Sequence, residues 1–507
     1  MFGYALLSSS FVFAALASIL FYRSHKTKNA RIAELGEFSL YASFSLTTAS
    51  LILLIHYFVT NNFSVVYVLE NSNRNLPLVL KFSAVWAGKE GSMLLWSFFS
   101  LLASVMFVRR RENAAAASIL AAISAYIIAG SLIFNPFATL PYTPVDGYGL
   151  NPLLRTIEMV LHPPVIFAAY AFAAVPFAIH ATGGKGADSY AKLTFLLLSL
   201  GIIIGGWWAY RTLGWGGFWG WDPVENASLL PWLSLAAYLH SKSDRRFFAT
   251  LTFALVFLAT FITRSGIVES PHAFAGSGGE FFLLPVVILL LLAAKHKPKF
   301  RDFCGASQLF LAMLIVVAMG TLAGISMEVD RTYYLFTFLP LFALAVVLIL
   351  AKFGEVKRKL AVHLAVLLIF AGASAVWTFE KSFDLQLNPS DEAAGLKFEF
   401  VDVDVTEDEE KIVYTAVVNS DVGTFYPKIV QYKIARSERT VSSVEILSTP
   451  LVDYYLALEG LGMGNARAKF YIVPMINLVW LGSALLLFGV LTTLRKSSSR
   501  TSDSSRR

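Results

Sequence analysis

The apolar residues of this chain fall in blocks of roughly 18 to 24, the length at which an α-helix crosses a hydrocarbon layer of about 30 Å. The 507 residues are 56% hydrophobic and only 15% charged, where a soluble domain carries about 25% charged residues. Mean hydropathy is +0.62. One globular core cannot hide that much apolar surface, so membrane lipid has to cover it. Spans are expected near 2–22, 38–60, 89–108, 115–134, 162–181, 191–210, 223–241, 247–263, 280–294, 306–325, 335–351, 360–378 and 471–493. The expected fold is all-α and polytopic, with about thirteen transmembrane helices and a small external β domain.

Lysine and arginine orient the spans. Loops on one side hold the clusters at 23–31, 109–111, 185–192, 242–246, 295–301 and 352–359 and the C-terminal tail, 25 basic residues in all. The loops opposite hold 7 (Arg74, Lys81, Lys89, Arg155, Arg211, Arg264 and Arg331). Cytoplasmic loops carry such an excess, so the N-terminus is expected outside and the C-terminus inside the cell membrane. The net charge of +7 is then a statement of topology, and no nucleic-acid partner is expected. Phe2–Tyr22 has no basic residue ahead of Arg23, so it reads as an uncleaved helix rather than a signal peptide. Cys304 is the single cysteine and lies in an inner loop. The chain itself offers no disulfide and no redox pair.

Four regions follow. Residues 1–379 form the helical bundle, with a tryptophan-rich external loop at 207–226. Residues 380–470 are polar, with alternating runs such as Leu396-Lys397-Phe398-Glu399-Phe400, and read as an external β domain. They carry 16 acidic and 9 basic residues. Residues 471–494 are the last span, and the Ser- and Arg-rich 495–507 are expected to be a disordered cytoplasmic tail.

The loop from Trp207 to Asn226 sets Trp215, Phe218, Trp219 and Trp221 among Gly214, Gly216, Gly217 and Gly220. Aromatic faces offer flat apolar area and glycines admit close approach. The combination suits a broad, flat ligand better than it suits a scattered interfacial belt. Asp222, Pro223 and Glu225 have the form of a capping box that starts a helix, which makes the two acids structural before they are catalytic.

Eight histidines can be ordered by depth. His25 and His296 lie among inner lysines. His162 and His272 lie at the outer side, where both can flank the loop. His240 is 17 residues past Pro223, about 26 Å along a helix at 1.5 Å per residue. His363 follows Lys357, Arg358 and Lys359, so these two share an inner depth. His180 and His56 are weaker candidates, with no partner segment as suggestive. Two imidazoles on opposite faces of a flat macrocycle are the usual axial ligands of haem iron, and the depths call for two haem sites. A helix-to-helix hydrogen bond is the plainer role for an intramembrane histidine. Arg211 and Arg264 flank the outer site as candidate partners of haem propionates.

These residues resemble a known family. Trp215-Gly216-Gly217-Phe218-Trp219-Gly220-Trp221-Asp222-Pro223-Val224-Glu225-Asn226 looks like the WWD signature of the haem-handling proteins of cytochrome c maturation, and the whole chain resembles their CcmF branch, the haem lyase component. His162-Pro163-Pro164, the segment from Arg264 to His272, Leu239-His240-Ser241, Val362-His363-Leu364 and Ala84-Val85-Trp86 through Glu90-Gly91-Ser92 are similar to further family motifs. The resemblance implies an external haem held by His162 and His272 on a platform of Trp215, Gly216, Gly217, Phe218, Trp219, Trp221 and Asp222. It implies a second, buried b-type haem between His240 and His363, which could pass an electron outward, with quinol as a conceivable source. The implied activity is that of a holocytochrome-c synthase working in a complex. It joins haem by thioether bonds to the Cys-x-x-Cys-His segment of apocytochrome c. A haem chaperone and thiol-reducing, apocytochrome-presenting maturation proteins would be its partners. The alternative is a haem carrier or exporter that only presents haem to a separate synthase.

Overall fold

The computed structural model describes residues 2–110, 113–212, 214, 216–268, 279–296, 298, 305–325, 329–352, 354, 359–434, 437–462 and 464–504. His272, Trp215 and Cys304 lie outside these. The helices are α1 (Phe2–Thr27), α2 (Ala30–Val59), the short α3 (Val66–Asn71) and α4 (Leu78–Ala84), α5 (Lys89–Val108), α6 (Ala114–Phe134), α7 (Ile157–Ala181), α8 (Ala187–Thr212), α9 (Pro223–His240), α10 (Arg245–Arg264), α11 (Leu283–Lys295), α12 (Ala306–Ala323), α13 (Arg331–Ala351), α14 (Leu360–Phe379) and α15 (Ile476–Ser504). Side chains mark several starts. Asn29 accepts from the Arg31 amide, Asn113 from Ala116 and Asp330 from Thr332, each meeting a donor that the first helical turn leaves orphaned.

A helix stands at each of the thirteen expected places. Among the described residues, eleven are long and apolar enough to cross a membrane. The other two are α9, which has 18 residues and contains Glu225, Asn226 and Pro231, and α11, which has 13 residues. Length and composition therefore do not by themselves carry the expected count of thirteen.

In the first half, α1 packs on α2 and α6, and α5 on α2, α6 and α7. Hydroxyls stitch this half together, with Ser10 bonded to Ser43 and Thr47, and Ser97 to Ser131. In the second half six helices close a circuit. There α8 meets α9, α9 meets α12, α12 meets α13, α13 meets α14, α14 meets α15, and α15 returns to α8. One close contact in the circuit is between α14 and α15. A Cβ on Gly482 would lie 2.8 Å from Ile369 Cγ1, and one on Gly372 2.8 Å from the Val479 amide nitrogen, so only glycine permits this approach.

The β domain has strands β1 (Lys381–Leu387), β2 (Ser390–Ala393), β3 (Leu396–Glu407), β4 (Lys411–Ser420), β5 (Gly423–Phe425), β6 (Lys428–Ile434), β7 (Ser437–Ser443), β8 (Glu445–Ser448), β9 (Val452–Gly462) and β10 (Asn465–Pro474). One sheet runs β1-β10-β9-β8; the other runs β2-β3-β4-β6-β7, with β5 added to β4. Pairing is antiparallel throughout. The expected alternation is present, since Phe398 and Phe400 are buried while Lys397 and Glu399 are exposed. Phe398, Phe425, Leu456 and Phe470 share the core between the sheets.

Two boundaries differ from expectation. Residues 471–474 finish strand β10, and the last helix begins only at Ile476. Pro474 and the left-handed Met475 (φ +58°) separate the two, because neither continues a helix. At the other end α15 runs to Ser504, where an irregular tail from 495 was expected. No proline or glycine interrupts that stretch.

Candidate functional site

His240 is the last residue of α9 and His363 lies in the first turn of α14. The two ring centroids are 6.5 Å apart, with planes at 87°. His240 Nδ1 bonds the Ala236 carbonyl at 2.8 Å and His363 Nδ1 the Lys359 carbonyl at 3.1 Å. A carbonyl only accepts, so each Nδ1 carries the hydrogen and each Nε2 keeps its lone pair. This is how metal-binding histidines are usually held. Two metal–nitrogen bonds of about 2 Å, with half a ring behind each, place centroids roughly 6 Å apart. Among the described residues no group of three or more His, Cys, Asp or Glu could hold a metal ion. An imidazole pair alone suits a metal that brings its remaining ligands with it, as haem iron does.

His162, in the second turn of α7, has the same arrangement. Its Nδ1 bonds the Gly201 carbonyl of α8 at 2.8 Å, and its ring stands edge-on to Trp208 at 6.0 Å. Gly205 makes room for it, because a Cβ there would lie 2.9 Å from His162 Cε1. His180 differs, with its Nε2 bonded to the Tyr238 hydroxyl at 3.0 Å. Tyr238 donates to Asp188, which also takes Arg245. This network fastens the C-terminal ends of α7 and α9 to the N-terminal ends of α8 and α10. His56 makes a tilted ring contact with Tyr57.

The tryptophan-rich loop is clamped at alternating points. Gly216 has φ +78°, and a Cβ there would lie 2.4 Å from the Tyr471 ring. Gly214 faces Ala457 and Val444. These residues all belong to the β domain or the turn beside it. Phe218 stacks on Trp377 of α14 at 6.0 Å. Trp221, 5% exposed, lies flat on Tyr334 of α13 at 4.0 Å and 6°. Gly217 is different, since nothing lies within 4 Å of a Cβ built there. Of the expected platform, Phe218 and Trp221 are thus committed to packing, and the open side of the loop falls at Gly217 and the half-buried Trp219.

Asp222 caps α9 by accepting from the Val224 amide, while Glu225 accepts from Gly220 and Asp222. The structural role expected for both acids is the one seen. Asn226 Nδ2 donates to the Trp221 carbonyl and to the Tyr334 hydroxyl. At the end of α8, within the same stretch, Tyr210 donates to Asp453 at 2.9 Å, and Ser448 donates to the same carboxylate at 2.6 Å. Both Tyr210 and Asp453 are buried. Arg211 pairs with Glu158 at 3.1 Å. Arg264 lies beside Tyr67, Glu90 and Tyr170, and its NH1 is enclosed without a partner among the described residues.

Tyr210, Tyr334, Trp377, Asp453, Tyr455, Tyr471 and Trp480 escaped the sequence reading. Their one signal was that aromatic residues recur at the start of α13, the end of α14 and the start of α15. Burial pushes the Tyr471 hydroxyl up to about 12 and the Tyr455 hydroxyl higher still, which keeps both neutral beside the loop.

The fold defines a multi-pass membrane protein with a histidine pair between α9 and α14 and an aromatic loop packed against a β domain. Residues 86–183 and 184–268 match the family described as cytochrome C assembly protein. The cytochrome c-type biogenesis protein CcmF of Pseudomonas aeruginosa is 36% identical over 56% of this chain and 52% of its own length, so the match spans about half of that relative. The probable cytochrome c-type biogenesis protein NrfE of Escherichia coli is 30% identical over 89% of this chain and 93% of its own. The solved structure of cytochrome c heme lyase CcmF shares the fold, with a TM-score of 0.78 at 20% identity and 97% coverage of both chains. The chain belongs to the cytochrome c-type biogenesis family that contains CcmF and NrfE.

Proposed function

We propose that this protein joins haem to apocytochrome c on the outer side of the cell membrane, as a holocytochrome-c synthase acting within a larger assembly. The observation that carries the reading is the pairing of His240 with His363 at 6.5 Å, together with a separate aromatic loop next to His162. A protein that only presented haem would need the loop but not the inner pair.

In this reading His162, with His272 from the loop after α10, holds the incoming haem as substrate. Gly217 and Trp219 give it an open face, and Arg211 and Arg264 are candidates for its propionates. The joining step adds each thiol S–H across a vinyl C=C, so one C–S and one C–H bond form and no net electron is exchanged. The chain's own part is to hold vinyl and thiol in a near-attack arrangement, and the thiols come from the Cys-x-x-Cys-His segment. The residues at the inner site fit a b-type haem, with His240 and His363 as its ligands. A haem bound there supplies one-electron chemistry. A haem chaperone and thiol-reducing partners would bring the two substrates, and a quinol would serve as reductant. In this reading the bundle over 1–379 spans the membrane, with the β domain outside and the C-terminus inside.

Reconstitution of the purified chain with haem and a Cys-x-x-Cys-His peptide tests this. Covalent product, seen as a shifted pyridine haemochrome band, is the expected result. Haem bound without any adduct would favour the carrier.

A further inference from the structure

Folded proteins give nearly every buried donor an acceptor, and several of the exceptions among the described residues lie in one place. The indole N–H groups of Trp219, Trp221, Trp377 and Trp480 and Arg331 Nε are enclosed without a partner among the described residues. All of them belong to the tryptophan-rich loop or to side chains packed around it. Trp221 lies 5.1 Å from Trp377 and 6.1 Å from Trp219. Phe218 bridges Trp377 and Trp480 at 6.0 and 6.2 Å. Arg331 adjoins this cluster through α14, donating from NH2 to the Val376 carbonyl at 3.2 Å.

An indole or guanidinium N–H can only donate. The unmatched oxygens nearby are Asn226 Oδ1 and Ser374 Oγ, too few to satisfy these donors. Glu380 lies 3.5 Å from Arg331 and balances its charge. The surplus is therefore one of hydrogen-bond donors rather than of positive charge. A group that fills it has to be small, rich in acceptors and able to enter beneath the loop. A carboxylate has two oxygens and about four acceptor sites, and buried carboxylates are held best by several N–H donors at once.

We propose that the junction between the loop and the adjoining ends of α13 and α14 receives a carboxylate edge of the tetrapyrrole, with Trp221, Trp377 and Arg331 as donors. This rests on the outer-site reading above and moves the propionate contact away from Arg211, which already has Glu158, and from Arg264, which lies beside residues of α3, α5 and α7. It also orients the ligand. In protoporphyrin the two propionates and the two vinyls occupy opposite edges. Anchoring the acid edge inward turns the vinyl edge towards the outer solvent, where the thiols of an apocytochrome arrive.

The test uses the full-length purified protein with its inner haem retained. It is titrated with iron protoporphyrin IX and, separately, with its dimethyl ester, which keeps iron, ring and vinyls but blocks both carboxylates. Binding is read from absorbance difference spectra. Wild type should prefer the free acid by roughly tenfold or more, the scale of a charge-assisted hydrogen bond. Trp377→Phe keeps an aromatic ring and removes the N–H, so it should shrink that preference without weakening the ester. Arg331→Gln should act in the same direction. Equal affinity of wild type for acid and ester overturns the proposal and leaves the donors to water. An undiminished preference in both variants overturns it too. If wild type binds neither ligand, or binds both unchanged after His162→Ala, the outer-site reading fails and takes this proposal with it.

Discussion

The inner histidine pair and the outer tryptophan-rich loop are built in opposite ways. The inner pair needs two helices, one side chain from each, and a backbone carbonyl to orient each ring. The outer loop draws on α8, α9, α13, α14, α15 and two strands, and most of its aromatic faces are spent on holding its own shape. A site that keeps a ligand can be simple, because binding itself holds the parts together. A site that must receive a ligand and give it up has to stay formed while vacant, and that shape has to come from packing.

The largest expected effect separates the two regions. His240→Ala or His363→Ala should abolish the haem that copurifies with the protein, while His162→Ala retains it, as read by pyridine haemochrome spectra. If all three changes remove one and the same signal, the regions are parts of a single site. Next come two adjacent glycines within the loop. Gly216→Ala meets both a left-handed backbone and the Tyr471 ring, and should cost about 1–3 kcal/mol. Gly217→Ala meets open space and should stay within about 0.5 kcal/mol. Thermal unfolding of the two variants gives the comparison, and equal losses would mean that the β domain does not shape the loop.

Smaller effects follow at the edges of the same contact. Tyr210→Phe removes one donor from the buried Asp453 carboxylate and should cost about 1 kcal/mol, whereas the same change at Tyr238 alters only the inner network. A detectable loss of outer-site binding in Tyr238→Phe would break that separation. The smallest effect concerns pH. Amides of Glu410 and Lys411 donate to Asp408 and hold its carboxyl below its ordinary value. A depressed pKa stabilises above the unfolded value and is lost as pH falls through the folded one. The β3–β4 turn, which meets Arg155 through Glu410 at 3.2 Å, should therefore stay protected down to pH values below the usual carboxylate range. Amide exchange at residues 408–411 measures this, and opening already near the ordinary aspartate value would contradict it.

What the sequence revealed follows the same division. The depth of His240 and His363 is arithmetic on helix rise and the positions of lysines, and the capping box at Asp222 is local over four residues. Both could be read directly. The walls of the outer site could not, because Tyr210 meets Asp453 across 243 residues and Asn226 meets Tyr334 across 108. No local pattern encodes such pairs. The strand over 471–474 was hidden for a related reason. Tyr471-Ile472-Val473 is apolar enough to join a span, and only Pro474 with Met475 ends the strand. His272 and Trp215, expected at the outer site, lie outside the described residues.

The glycine contacts between α14 and α15 have one more consequence. The β domain enters from the end of α14 and returns into the start of α15, so it stands on two feet planted side by side. A domain held that way cannot swing like an arm on a tether. A push on it from a docking partner passes into α14, a nearly rigid rod that carries Trp377 at one end and His363 at the other. Trp377, stacked against the loop, and His363, the ring that faces His240, thus stand about four helical turns apart on a single helix.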